Sequence, residues 1–144
     1  MGQTDTPLPQ WTSLFGNRLI DLLGWRLIDA RPNEGWIRAG FNGKEEFCAA
    51  GGFVQGGVLS AMLDATMSAG VFAMTHGKLY PPTISMTVNF LAPAKPGPIT
   101  GEARVAQLGR SIAFVEGRLT ADDGTLLATA STSVRLVEAA KAVR

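Results

Sequence analysis

Apolar residues recur with helical spacing in two stretches of this chain, and six further runs bounded by turn residues read as strands. Residues 11–23 read as one short amphipathic helix from the spacing of their Leu and Ile, with Gly24 as its stop. Runs 25–30 and 36–41 read as two strands around Arg31-Pro32-Asn33-Glu34-Gly35, a loop with hairpin chemistry, and 42–54 is irregular. The stretch from Gln55 through Gly56-Gly57 to Gly70 then reads as a long apolar helix, ending near Thr75-His76-Gly77-Lys78 with Gly77 as the left-handed stop. Four more strands follow. Segment 83–91 alternates, with Ile84, Met86, Val88 and Phe90 on one face and Thr83, Ser85, Thr87 and Asn89 on the other. After a Pro-rich break at 92–98, runs 99–108 and 111–121 are joined by the tight Gly109-Arg110 turn, and Asp122-Asp123-Gly124 turns into 126–137. The tail 138–144 reads as frayed helix. The order predicts an α+β fold in which an antiparallel sheet curls around one long central helix. With no repeat, low-complexity run or linker, residues 1–144 read as a single domain with its core at about 11–137.

The central helix carries one carboxylate, Asp64, among Ala, Leu and Met. An unpaired charge buried there costs several kcal/mol, so Asp64 must find a partner or face a cavity. Ser60, Asp64 and Ser68 are spaced by four and form one polar stripe. At roughly 17–19 residues the helix is also long enough to cross a bilayer. A central Asp, two glycines at the start and no basic flank before them argue against a span. A structural Asp with no chemistry remains open from the residues alone. The glycines suggest more. Gly56 and Gly57 leave backbone N–H groups unshielded at the positive end of the helix dipole, an arrangement that holds an anion or a developing oxyanion. Asp64 lies about 10 Å further along the axis at ~1.5 Å per residue, too far for one small reacting group to touch both. If the two cooperate, the carboxylate comes from a second, antiparallel copy of the helix, which implies a two-fold dimer with two equivalent sites.

Composition narrows the classes. Thirteen Lys and Arg against twelve Asp and Glu give a net charge of +1, with no basic stripe for nucleic acid. Cys48 and His76 are the sole cysteine and histidine, which rules out an internal disulfide and makes a zinc site from this chain improbable. His76 reads as a cation placed at a helix C-terminus. The start shows no secretory signal, which with the single thiol points to a reducing cytosol. Met1-Gly2-Gln3-Thr4-Asp5-Thr6 fits the loose myristoylation pattern and is read as coincidence.

The Gly-Gly helix start, Asp64 and the strand end Asn89-Phe90-Leu91-Ala92-Pro93-Ala94-Lys95-Pro96-Gly97 together resemble the hotdog-fold acyl-CoA thioesterases of the PaaI-like, phenylacetate-pathway group, over about residues 11–137. The resemblance implies that the backbone N–H of Gly56, with Gly57 beside it, faces the thioester carbonyl. It implies that Asp64 of the partner subunit acts as general base or nucleophile. Thr83 falls where the family places a Ser or Thr that positions water, and Ser68 where some relatives carry a hydroxyl. The Gly109-Arg110-Ser111 turn is similar to the family's basic hairpin near the CoA phosphates, where an Arg fork suits a diphosphate. The implied substrate is a medium-chain or aromatic acyl-CoA, hydrolysed in the cytosol by a homodimer or dimer of dimers, with no cofactor or metal, because the thioester is already electrophilic.

Two positions depart from the family pattern. Gln55 stands where His usually opens the helix, and Ala49 where an Asn or Gln contacts the water or thioester. Gln55 is therefore a candidate to supply that amide. The alternative from another class is a non-catalytic acyl-CoA-binding or regulatory hotdog protein, and a hydratase ranks below both because His76 lies away from the helix start. Trp25, Trp36, Phe47, Phe53, Met62, Met67, Phe72 and Tyr80 are the residues whose packing is expected to set the acyl pocket.

Overall fold

The computed structural model describes residues 8–142, so the acylation pattern at residues 1–6 lies outside the described residues. Six strands form one antiparallel sheet in the order β1 (Arg26–Arg31), β2 (Trp36–Gly43), β5 (Gly97–Leu108), β6 (Ile112–Ala121), β7 (Leu126–Arg135) and β4 (Thr83–Phe90). The central helix α3 (Gly56–Met74) lies against the inner face of that sheet, where Ile37, Ala39 and Phe41 of β2, Ile99 and Ala103 of β5, and Val115 and Leu119 of β6 are all buried. Burying its apolar surface this way is what a helix of this composition achieves in a core.

Close approach of helix and sheet depends on two strand glycines. A Cβ at Gly101 would run into the Thr66 side chain, and one at Gly117 would stand 2.9 Å from Cγ of Met67. Larger residues would push the helix off the sheet. Thr66 is fully buried there, its hydroxyl satisfied by donating to the Met62 carbonyl at 2.7 Å.

The sequence expectation of one helix at 11–23 is corrected. Gly16 is extended, and the segment splits into α1 (Trp11–Phe15) and α2 (Arg18–Leu22), with Asn17 as the N-cap of the second. Asn17 Oδ1 accepts the Ile20 N–H at 3.1 Å, which offers the chain a restart that the run of Leu and Ile conceals. The two short helices fold over α3 as a lid, with Phe15 against Trp25 at 4.8 Å and against Phe72 at 5.9 Å between ring centroids.

Three further corrections follow from backbone geometry. The helix end at 75–78 is a Schellman motif: the Gly77 N–H reaches the Phe72 carbonyl at 2.8 Å and the His76 N–H reaches Ala73 at 3.3 Å. This makes His76, at φ 51, the first left-handed residue, ahead of Gly77 at φ 77. The last long strand stops at Arg135, and the tail is not simply frayed helix. Val137–Glu138 forms β8, paired with β3 (Leu79–Tyr80), before the one-turn helix α4 (Ala139–Ala142). The third correction concerns β4. Its ladder to β7 slips by one residue between Thr83 and Ser85, so Ile84 is a bulge and Thr83 pairs with Val134. Val134 faces the helix, and Thr83 therefore sits on the face of Met86, Val88 and Phe90, not with Ser85, Thr87 and Asn89 as alternation requires.

Candidate active site

The start of α3 is pinned from both sides. Val54 N–H donates to the Ala94 carbonyl at 2.8 Å and Gln55 N–H to the Phe47 carbonyl at 2.9 Å. Val58 and Leu59 both donate to the Gln55 carbonyl, at 3.0 and 3.1 Å, while the N–H groups of Gly56 and Gly57 have no protein acceptor among the described residues. Gln55 is the N-cap, exposed, with a side chain that makes no capping bond. Space around the glycines differs. A Cβ at Gly57 would meet nothing within 4 Å, whereas one at Gly56 would press on the Phe90 ring at 3.0 Å. Gly56 lines an apolar cavity of about 420 Å³ with Phe53, Leu59, Phe90 and Ala94. Two unpaired donors at a helix N-terminus beside an apolar cavity form a corner suited to a polarised carbonyl oxygen.

Asp64 stands in a different cavity. Half-buried on α3, it accepts a 2.7 Å hydrogen bond at Oδ1 from the Thr83 hydroxyl, the contact that the Ile84 bulge makes possible. Its second oxygen has no partner among the described residues. The cavity, about 280 Å³, is walled by α3 on one side and the α1–α2 lid on the other, with Phe15, Phe72 and Tyr80 among its aromatic lining. Ser68 lines it one turn beyond Asp64. Ser60, third member of the polar stripe, instead donates to its own helix at Gly56 O, 2.8 Å away.

Within one chain, then, Asp64, Thr83 and Ser68 come together and Gly56, Gly57 and Gln55 come together, but the two groups open into separate cavities. Gly109, Arg110 and Ser111 form the exposed β5–β6 turn, closed by the Gly109 N–H on the Ile112 carbonyl at 2.9 Å, and line neither cavity. Ala49 is exposed in the 48–54 loop, its N–H on the Phe53 carbonyl.

Of the residues expected to shape the acyl pocket, Phe72 and Tyr80 line the Asp64 cavity, Phe53 lines the Gly56 cavity, and Met62 and Met67 are fully buried in the core. Trp36 lines neither of these cavities and borders a third, of about 610 Å³, on the other side of the sheet. Its register opposite Arg104 puts it on the outer face of the sheet, buried under the guanidinium groups of Arg31 and Arg38, with Nε1 donating to Glu102 at 2.6 Å. Sequence reasoning missed Phe15 and Asn17, which both line the Asp64 cavity. The signal was present: Gly16-Asn17 before Arg18-Leu19-Ile20 is a helix-start pair.

Comparison with known proteins converges on one family. The thioesterase superfamily profile matches residues 51–128. A protein of Saccharolobus solfataricus that carries the name esterase is 35% identical over 88 residues, and the matched stretch covers 60% of this chain and 61% of that relative's length. Among solved structures, a phenylacetic acid degradation-related protein from Ralstonia eutropha superposes with a TM-score of 0.81 at 28% identity, covering 87% of this chain and 98% of that one. The PaaI protein of the E. coli phenylacetic acid degradation operon has a TM-score of 0.78 at 16% identity, over 90% of this chain and 91% of that one, a likeness of fold.

Proposed function

Because the chain belongs to the thioesterase superfamily and has its hotdog fold, we propose that it hydrolyses the thioester of a medium-chain or aromatic acyl-CoA at two equivalent sites, each formed between two copies of a single hotdog domain in the cytoplasm. In this reading the Gly56 and Gly57 N–H groups hold the carbonyl oxygen as negative charge develops on it. Asp64 of the partner subunit takes a proton from the attacking water, or attacks the carbonyl carbon itself to form an acyl–aspartate anhydride that water then cleaves to release the acid and free the carboxylate. The C–S bond breaks and the CoA thiolate leaves to be protonated. Thr83 holds Asp64 through Oδ1 and so directs Oδ2 at the reacting centre, a positioning role. Ser68 adds a hydroxyl beside the acyl group. Arg110, with Gly109 and Ser111, offers an exposed guanidinium to the CoA diphosphate.

The observation that carries this reading is the course of β4. The strand begins at Thr83, bonded to Asp64, and ends at Phe90, packed over Gly56. Pairing β4 with its own copy about a two-fold axis would set the start of one strand against the end of the other. Asp64 of the partner subunit would then stand beside the Gly56–Gly57 corner, bridging the ~10 Å that separates them within a chain.

The test is Asp64→Asn, assayed against a panel of acyl-CoAs with a thiol-trapping reagent. Turnover should fall at least about a hundredfold while circular dichroism is unchanged. Near-wild-type turnover in the folded variant would remove the mechanism. The absence of an amide at Ala49 favours a second reading, a protein that binds acyl-CoA without hydrolysing it. Acyl-CoA binding by the wild type with no Asp64-dependent turnover would decide for it.

A further inference from the structure

The lid wall of the Asp64 cavity is unlike the wall opposite. From α3 come the carboxylate of Asp64 and the hydroxyl of Ser68, whereas Phe15, Leu19, Ile20 and Leu23 make the lid side apolar except at one residue, Asn17. The amide of Asn17 is oriented by the fold. Its Oδ1 is held by the Ile20 N–H at 3.1 Å, which identifies that atom as the oxygen, because only an acceptor can serve there. Planarity of the amide fixes Nδ2 as well, and its two N–H donors have no acceptor among the described residues.

We propose that Asn17 is a specificity-determining residue of this cavity, its Nδ2 donating to a carbonyl or hydroxyl oxygen at the far end of a compact acyl group whose thioester lies at Asp64. The inference rests on the thioesterase reading and deepens it by naming the acyl class. A cavity of about 280 Å³ lies below the roughly 300–1,000 Å³ of drug-sized sites, which sets the compactness. Asn17 is exposed in the free protein and its donors are open to water; a hydrocarbon end bound over them would displace that water and leave them facing carbon, and an oxygenated end would replace it. A site with a fixed donor discriminates on that difference.

The experiment compares hexanoyl-CoA with 5-oxohexanoyl-CoA on the wild type and on Asn17→Asp. Aspartate keeps the capping oxygen for α2 and removes the donors, so the fold is retained. The wild type should favour the oxo substrate in kcat/KM by about three- to tenfold, the worth of one net hydrogen bond. In Asn17→Asp the ratio should fall to about one or invert. Any general effect of the new charge on Asp64 acts on both substrates and cancels in the ratio. A ratio near one in the wild type, or an unchanged preference in the variant, overturns the proposal. Should Asn17→Asp not fold, Asn17→Ser, uncharged, still capping and too short to reach the acyl end, is read in its place. If neither acyl-CoA is hydrolysed by the wild type, the thioesterase reading fails separately. The ratio of dissociation constants for the same two compounds then decides: a preference lost in the variant supports Asn17, and equal constants in the wild type overturn it.

Discussion

The two edges of the sheet are built for opposite ends. β1 carries Arg26, Asp29 and Arg31, has a bulge at Ile28 that breaks its ladder to β2, and lays the Arg26 guanidinium across Gly40 of its neighbour. Charges and a bulge are how sheets protect an edge from a second chain. β4 has no charged residue and no proline, and exposes Ile84 at 57% and Phe90 at 53%, with Leu91 at 56% just beyond. An open strand of that composition is a template for pairing. Both edges contain a bulge, and the contrast shows what each one does. At Ile28 it disrupts an edge, whereas at Ile84 it turns Thr83 inward to Asp64 and leaves the rest of β4 regular. The edge proposed to meet a partner is thus the edge that holds the proposed catalytic carboxylate in place.

Placing a charge on β4 should have the largest effect. Ile84→Lys is expected to convert a dimer to a monomer by light scattering and to lower turnover by about a hundredfold or more, since the carbonyl donors and the carboxylate are then in different molecules. A monomer that retains full activity would place the whole site in one chain. Next in size is a gain. Asp64→Asn and Gly56→Pro should each be inactive, and mixing them under subunit exchange should restore up to about half of the wild-type activity per heterodimer, because one of its two sites carries neither change. Heterodimers that form and stay inactive would argue against shared sites. A smaller effect sharpens the role of the bulge: Thr83→Val should reduce kcat by about tenfold with KM little changed, and Thr83→Ser should recover most of it. A KM effect alone would move Thr83 from positioning Asp64 to contacting substrate. Smallest of all, Ile28→Lys on the protected edge should leave both molecular mass and turnover as in the wild type, and a change in either would erase the distinction between the edges.

Sequence patterns reached the architecture because periodicity is a property of long runs. The six strands, the central helix and its Gly-Gly start were legible for that reason, and strand limits moved by one or two residues, as from 99 to Gly97 for β5. What escaped was decided by single residues acting against a period. Alternation through 83–91 assigned Thr83 to the outer face, and only the slipped register reverses it. Asn17 interrupted an apolar run that otherwise reads as one helix. Trp36 is held on the outer face of the sheet, away from the Asp64 and Gly56 cavities, by two arginines and a glutamate that come from β1, β2 and β5, and no local pattern announces their meeting. The β3–β8 pair joins residues far apart in sequence through two hydrogen-bonded positions, too few to leave an alternating trace. For the site, the helix start and Asp64 were visible as chemistry, while the cavity on each side of them is a product of packing.

The placement of the three indoles has an optical consequence. Trp11 and Trp25, 6.4 Å apart, belong to the lid cluster behind the Asp64 cavity, and Trp36 lies across the sheet between two cations. The chain therefore contains two lamps behind one cavity and a third that stands apart from it. Phe15 lines that cavity and touches both rings, so light absorbed by Trp11 and Trp25 would be re-emitted from surroundings that a ligand there changes, whereas Trp36 has the sheet between it and the cavity. In a Trp36→Phe protein the whole tryptophan spectrum would become a label-free record of that cavity, readable in real time as it fills and empties.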